Sequence, residues 1–262
     1  MEFDVIKKKG KIVKKIFIVL GILLLILAGI IVYFVVQDLK QEDILKQEII
    51  NYSNMDLAND DYSIYIKTKG NYGYIEEAIK KYYKELSDNV KIINYYLDDE
   101  ELSNVLSLDN LEKDRPAFIK SYAVIQKDRS KVTKAIERIS YLCDEENVRN
   151  LVDKEKIDDY SYEFYEKIML TEKDIKDLKD TKEKMDKISK DLNLFFDKVI
   201  EILDLLKNND DKWSSEGGKL YFEGEDLVNK YNTLYKELVD IAASFDDSDI
   251  SNKKSNNESV VA

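Results

Sequence analysis

The first part of the chain contains one long apolar run, from Ile16 to Val36, between two polar segments. The run carries no charge. At about 1.5 Å of rise per residue, a helix of this length spans about 31 Å, which matches the hydrocarbon core of a bilayer. The pattern therefore predicts a single transmembrane helix at residues 16–36.

A cleaved signal peptide and a buried helix of a soluble domain are the alternative interpretations of this run. A signal peptide needs a shorter apolar core with small residues before the cut, whereas Ala28 and Gly29 lie inside the run. The tripeptide from Leu27 to Gly29 is similar to a lipoprotein cleavage box. However, Ile30 stands where lipid attachment requires a cysteine. We therefore expect a retained membrane anchor.

Lysines dominate the fifteen residues that precede the apolar run. They are Lys7, Lys8, Lys9, Lys11, Lys14 and Lys15. With Glu2 and Asp4, they give this segment a net charge of +4. Because positive residues stay on the cytoplasmic side, we expect residues 1–15 inside and residues 37–262 outside. The lysines act either as topology signals alone or also as attractors of anionic headgroups.

Beyond the predicted anchor, apolar residues recur at alternating intervals of four and three residues in four stretches. The stretches run from Ile75 to Tyr96, from Phe118 to Cys143, from Leu178 to Leu206 and from Leu227 to Phe245. This repeat is typical of long helices that pack side by side along a narrow apolar face. It predicts a mainly all-α fold. Because the connections between successive helices of one chain favour antiparallel neighbours, we expect an elongated antiparallel bundle with coiled-coil-like heptads.

Capping signals predict where two of these helices begin. Asp114 is a candidate cap with Pro116 in the first turn. Thr171 and Asp174 have the spacing of a capping box. The segment 157–170 carries enough apolar residues to form a further helix before this second cap.

Secondary structure is harder to assign between the anchor and the first heptad stretch. Residues 37–51 are expected to continue the membrane helix, and residues 52–61 read as a loop. Segment 62–67 has an alternating pattern that fits either a short strand or more helix. Gly70 and Gly73 predict a break before the heptad stretch begins.

Residues 212–224 differ from the rest, because they contain the only tryptophan and a Gly-Gly pair. Gly217 and Gly218 fit the tip of a two-residue turn, which predicts a small β-hairpin. Its aromatic residues are Trp213, Tyr221 and Phe222. They form either an exposed docking tip or a lid over the end of the helical core.

The charge of the chain limits its partners. The net charge is −12, and since the first fifteen residues carry +4, the remainder carries −16. This balance argues against nucleic acid, whose phosphates require clustered lysine and arginine. It fits either the solubility of a surface domain or an acidic site for a cationic ligand.

The residues available for chemistry are restricted. The chain has no histidine, which removes the usual catalytic triads and the commonest transition-metal ligand. Acidic runs such as 98–101, 59–61 and 246–249 lack the spacing of a calcium loop and read as solvated charge. We therefore predict no metal and no cofactor, and no enzymatic activity, with a carboxylate-based enzyme as a minor alternative.

Two single residues merit separate hypotheses. Cys143 is the only cysteine, so it is either a buried thiol or one half of an intermolecular disulfide. Arg129 occupies a heptad position of the second stretch. It either pairs with a carboxylate to fix helix register or binds an acidic ligand inside the bundle.

These features define four regions. They are a cytoplasmic basic N-terminus at 1–15, a transmembrane helix at 16–36, an extracytoplasmic helical domain at 37–245 and a disordered polar tail at 246–262. We expect a single-pass bacterial cell-surface protein that is a scaffold or interaction module for another envelope or membrane protein. The alternative is a small-molecule-binding or sensory domain that acts through a membrane partner.

Overall fold

A computed structural model describes residues 36–246 of the chain. This part is mainly helical with one two-stranded antiparallel sheet. The predicted transmembrane run at 16–36 lies outside the described residues except for Val36, as does the predicted disordered tail beyond Asp246. Between residues 36 and 246, no helix has the length and apolar character needed to cross a bilayer.

The four heptad stretches all fall in helices, which confirms the mainly helical prediction. The helices are α1 (36–53), α2 (Gly70–Leu97), α3 (Glu100–Ser103), α4 (Leu108–Asp114), α5 (Ile119–Leu142), α6 (Glu145–Arg149), α7 (Asp159–Met169), α8 (Glu172–Lys207) and α9 (Glu225–Asp246). A 3₁₀ turn (Asp210–Lys212) leads into β1 (Trp213–Glu216) and β2 (Lys219–Phe222). The predicted hairpin is present, with Trp213 opposite Phe222 and Glu216 opposite Lys219.

The described chain divides into two compact units, which are described separately. The first contains residues 36–55, 63–81 and 152–168. The second contains residues 56–62, 82–151 and 169–246. Both units are built from segments that are distant in sequence.

The first unit is formed by α1, the N-terminal part of α2 and α7. Its fully buried side chains include Leu45, Ile75, Ile79 and Tyr165. Tyr72 and Phe164 pack edge to face with ring centroids 5.7 Å apart. Because aromatic rings bury much apolar area, this small unit gains a core from few side chains.

The second unit is organised around α8, which packs against α5 and against α9. Tyr122 pairs with Asp204, whereas Lys182 pairs with Asp144. The order of these pairs shows that α5 and α8 run antiparallel. The shared core includes Ile125, Val132, Ile136, Leu192, Phe196, Val199, Ile202, Leu206 and Leu238.

Two helix starts were predicted from caps, and they have different outcomes. The capping box is confirmed, with Thr171 and Asp174 bonding reciprocally at the start of α8. The position of Pro116 was predicted wrongly, because α4 extends to Asp114 and α5 begins only after Phe118. Asp114 still caps α5 from a distance, since its carboxylate accepts a bond from the Ser121 amide at 2.7 Å.

The prediction for the segment before α2 was also wrong. Segment 62–67 is neither strand nor helix, and α2 begins at Gly70, so Gly73 lies inside the helix. The segment stays extended because a side chain, and not the backbone of a neighbouring strand, accepts its amide hydrogen bonds. The carboxylate of Glu76 accepts the Thr68 amide at 2.7 Å, which satisfies the extended backbone without a sheet.

Candidate functional site

The hairpin fits the lid interpretation at its first strand. Trp213 is only 5% exposed, and its indole stacks on Phe118 with ring centroids 6.4 Å apart. The indole N–H donates to the Leu206 carbonyl at 3.0 Å, and the Arg115 guanidinium lies 4.2 Å from the ring centroid. Trp213 therefore closes the core of the second unit and is not accessible at a tip.

The second strand divides its aromatic residues between core and solvent. Phe222 is half-buried and packs on Tyr231, with ring centroids 5.0 Å apart. Tyr221 points the other way and is 51% exposed. Of the three residues predicted for a tip, only Tyr221 is free of the core.

Phe118 has a backbone conformation that few side chains adopt. Its φ is +52°, in the left-handed region, and the residue is fully buried. Such strain persists only where the surrounding packing determines it. Here the packing is supplied by Trp213, and Arg115 fixes the loop through a 2.9 Å bond to Asp210.

Arg129 lies between α5 and α8 at the edge of the seam. Its guanidinium donates to Asp197 at 2.6 Å and to Asn193 at 2.9 Å. Both partners are on α8, and Asp197 is about half exposed. The geometry matches the register hypothesis, because Arg129 is bonded across the helix pair and faces solvent rather than a cavity.

A buried ionic network lies in the first unit, and sequence reasoning did not find it. At its centre, the Lys80 ammonium donates to Glu48 at 2.7 Å, to Glu76 at 2.6 Å and to the Tyr65 carbonyl at 2.6 Å. The same ammonium lies 4.8 Å from the ring centroid of Tyr52. All three donors of the lysine are thus satisfied.

Glu76 is the most heavily bonded carboxylate of this network. It accepts the backbone amides of Lys67 and Thr68, the Thr68 hydroxyl at 2.6 Å and the Lys80 ammonium. Burial by itself would raise the pKa of Glu76, but these bonds stabilise the charged form and lower it. The network pins the extended segment onto α1 and α2 and presents no unsatisfied group to a ligand.

A groove of about 240 Å³ opens between α1 and α7 of the first unit. It is lined by Glu42, Lys46, Tyr160, Phe164, Lys167 and Ile168. The Lys46 ammonium pairs with Glu42 at 2.7 Å and lies 5.6 Å from the Phe164 ring centroid. The Tyr160 hydroxyl donates to Glu42 at 3.2 Å. With one carboxylate and two ammonium groups, the lining has a net positive charge.

Helix α9 carries two adjacent apolar stripes, of which one is packed. The packed stripe faces α8 and consists of Leu227, Tyr231, Leu234, Leu238 and Ile241. The second stripe consists of Val228, Tyr235, Val239 and Ala242. Tyr235 and Val239 are each 48% exposed, and the Tyr235 ring stacks on Tyr231. Val228 is half-buried, whereas the C-terminal part of the stripe, from Tyr235 to Ala242, is exposed.

The remaining candidate groups are placed as follows. Cys143 is buried, and burial raises the pKa of its thiol to about 11. Asp99, from the acidic run 98–101, caps α3 by accepting the Glu101 amide. Within residues 36–246, no cluster of three or more metal-ligating side chains occurs. The lysines predicted to set topology lie outside the described residues.

The buried charged residues have only weak signals in the sequence. Glu76 and Lys80 are four residues apart on α2, each next to a seam isoleucine. That spacing fits an ordinary surface pair equally well, so burial was not foreseeable. Asp128 lies between Ile125 and Val132 on the buried face of α5, where a charged residue is unusual.

Comparison with known proteins gave no match to a protein family, to a characterised protein or to a solved structure.

Proposed function

We propose that this chain is a single-pass membrane protein whose helical domain, outside the cell membrane, docks another envelope or membrane protein. The attachment rests on the apolar run at 16–36 and on the lysines before it. The role is non-enzymatic, because the chain lacks histidine and recognisable catalytic motifs. In this proposal, the antiparallel helices α5, α8 and α9 form a stiff, coiled-coil-like spacer.

The observation that carries the docking role is the second apolar stripe of α9, which is exposed from Tyr235 to Ala242. Val228, Tyr235, Val239 and Ala242 are separated by seven, four and three residues, which aligns them along one side of the helix. Exposed apolar residues scattered singly need no explanation, whereas a periodic stripe beside a packed seam is typical of a helix that contacts a partner.

The charge of α9 favours one kind of partner. The helix carries five carboxylates and two lysines. A partner helix with apolar residues flanked by lysine or arginine complements this surface, whereas an acidic partner is repelled. We therefore propose a basic amphipathic helix of a membrane or envelope protein as the docking element.

The test is site-specific photocrosslinking in intact membranes. A photoreactive phenylalanine analogue at Tyr235 is expected to form one discrete adduct, and the same analogue at Thr233 is not. Thr233 is exposed on the opposite side of α9 and serves as the matched control. Val239→Glu should abolish the Tyr235 adduct because it places a charge in the stripe. Equal adduct yield from the two positions, or no adduct from either, contradicts the proposal.

Membrane attachment needs its own test. Protease added to intact cells is expected to digest the domain at 37–245 and to leave the fragment with residues 1–36 in the membrane pellet. Digestion only after the membrane is opened would reverse the proposed topology. Loss of residues 1–36 should move the domain to the soluble fraction.

The groove between α1 and α7 supports a second candidate function, the binding of a small molecule. Phe164 and Ile168 supply an apolar wall. Lys46 is paired with Glu42, so Lys167 supplies the net positive charge. This combination suits a small aromatic carboxylate. Phenylacetate is a suitable first probe, with a thermal shift of the full-length protein as the readout.

The control for this second candidate uses two exposed lysines. Lys167→Glu reverses a charge of the groove and should remove the thermal shift with phenylacetate. Lys40→Glu changes an exposed lysine of α1 that does not line the groove and should leave the shift intact. The absence of a shift with aromatic carboxylates, or an equal loss in both variants, would dismiss this function.

A further inference from the structure

Asp128 is an unusual carboxyl group in the middle of α5. Its side chain is fully buried, and neither carboxylate oxygen accepts a hydrogen bond of good geometry from any described residue. Buried polar side chains normally have at least one such partner. A carboxylate in this position loses its hydration and gains little in return, so the ionised form is costly to keep buried.

The groups around Asp128 come from three elements, α5, α3 and α2. On α5, the Lys127 ammonium lies 3.4 Å from Asp128 Oδ1. The same ammonium lies 3.3 Å from Asp99, the cap of α3, so a single cation is shared by two carboxylates. Glu101 of α3 adds a further negative charge. On α2, Tyr96 contacts the Lys127 ammonium at 5.6 Å from the ring centroid.

These neighbours have opposing effects on the protonation of Asp128. Burial raises the pKa of Asp128, Lys127 lowers it in part, and Asp99 and Glu101 raise it further. The shared lysine therefore does not fully compensate the buried charge. The group is held in an environment that favours its neutral form.

The element beside Asp128 is weakly held. Helix α3 has four residues, none of them buried, although it packs against α5. Its main polar connection to α5 is the contact between Asp99 and the exposed end of Lys127. Of residues 99–104, Leu102 alone packs against the core, where it is half-buried. An element with one such contact opens at low free-energy cost.

We propose that residues 99–104 form a proton-dependent cover on α5. The cover is closed while Asp128 carries a proton, and it loosens when Asp128 is ionised, because the carboxylate then requires water. The ion pair of Asp99 and Lys127 holds the cover closed, and this pair weakens as the negative charge of Asp128 appears. In a domain exposed at a cell surface, such a cover would respond to acidification of the medium by closing.

The direction of the pH effect follows from linkage. In the open state Asp128 titrates near its ordinary pKa of about 3.9, and in the closed state its pKa is higher. Closure is therefore most stable below about pH 4. It weakens by up to about tenfold per pH unit as the pH rises towards the closed-state pKa, and then it levels off.

Hydrogen exchange of the full-length protein between pH 4 and 8 tests this inference. Protection factors for residues 99–104, corrected for intrinsic exchange, should fall with rising pH and then level off. An amide in the middle of α8 provides the internal reference. A flat profile for residues 99–104 in the wild type would overturn the proposal without any variant.

Variants locate the effect on Asp128. Asp128→Asn should give high protection that no longer depends on pH, since the amide cannot ionise. In Lys127→Gln, the fall in protection should extend to higher pH, because the cation that favours ionisation of Asp128 is gone. Asp109→Asn is the control, as Asp109 is exposed and paired with Lys113 on α4. Retention of the wild-type slope in Asp128→Asn would assign the effect to another group.

Discussion

The ammonium of Lys80 lies 2.6 Å from a carboxylate oxygen of Glu76, one helical turn earlier, and both side chains are at least 97% withdrawn from water. Burying an ion pair costs desolvation free energy, which is recovered only when the remaining donors and acceptors are bonded. That condition is met here, because Glu48 and the Tyr65 carbonyl take the other donors of Lys80. The pair is therefore tolerated in the core of the first unit.

Removing the cation should be strongly destabilising. Lys80→Met leaves Glu48 and Glu76 buried without their shared partner, and we expect a loss of about 3–5 kcal/mol in the free energy of unfolding. Urea denaturation followed by circular dichroism measures it. Lys81→Met is the control, since Lys81 forms an exposed pair with Glu77, and its change should stay within about 0.5 kcal/mol. Similar losses in the two variants would show that the network is not buried as described.

Acid should weaken the first unit through Glu76. Since its pKa is lowered in the folded state, the stabilising contribution of Glu76 is complete above the unfolded pKa of about 4.3 and is lost as the pH falls below it. Glu76→Gln should be less stable than wild type at pH 7, and the difference should narrow between pH 4.5 and pH 3. A difference that is constant over this range contradicts the assignment. Glu77→Gln, an exposed neighbour, provides the control.

The single tryptophan makes the hairpin observable. Because Trp213 is buried, its fluorescence should be blue-shifted and protected from acrylamide in the native protein, and both properties should disappear on unfolding. Trp213→Phe loses the bond to the Leu206 carbonyl and should cost about 1–3 kcal/mol, whereas the exposed Tyr221→Phe should cost little. Native emission typical of a solvent-exposed indole would favour a mobile tip over a lid.

Cys143 should be chemically inert in the folded protein. A buried thiol whose pKa is raised to about 11 is almost entirely protonated at pH 8, and the thiolate is the reactive form. Labelling with iodoacetamide should therefore be slow in buffer and fast in urea, with Cys143→Ser as the blank. A disulfide-linked dimer on a non-reducing gel of the native protein would show instead that the thiol is accessible.

Arg129 should contribute little to stability. Its ion pair with Asp197 is partly exposed, and such pairs are worth about 0–1 kcal/mol. Arg129→Leu should thus change the melting temperature only slightly. It should also leave the oligomeric state, measured by light scattering, unchanged. Arg115→Leu is a useful contrast, because Arg115 covers the Trp213 ring and should matter more. A large effect of Arg129→Leu would imply a role beyond register.

Helical periodicity was sufficient to predict the long elements, because an apolar seam imposes a repeat that is visible in sequence. The repeat itself is compatible with parallel and antiparallel neighbours, so it does not give the relative direction of α5 and α8. The Thr171 cap is a local signal. The hairpin could be predicted equally well, since Gly217 and Gly218 both adopt the positive φ that their turn needs. These features depend on residues that are close together in the chain.

The buried ionic network could not be predicted, because its contacts join residues that are distant in sequence. Lys80 meets Glu48 across 32 positions, and no local pattern distinguishes such a pair from exposed charges. The short helices α3, α4 and α6 were not predicted, because helices of four to seven residues have too few turns to show a periodic apolar pattern. The start of α5 was misplaced because Asp114 caps it through space rather than from the adjacent position.

The turn at the end of the hairpin has a practical use in following this protein in cells. Glu216, Gly217, Gly218 and Lys219 are exposed, and an added Cβ at either glycine would meet no atom of the described residues within 4 Å. Loop tips of this kind tolerate inserted peptides. An epitope tag placed between Gly217 and Gly218 would leave the Trp213 side of the hairpin seated, so antibody access to that tag would report which side of the membrane the domain occupies.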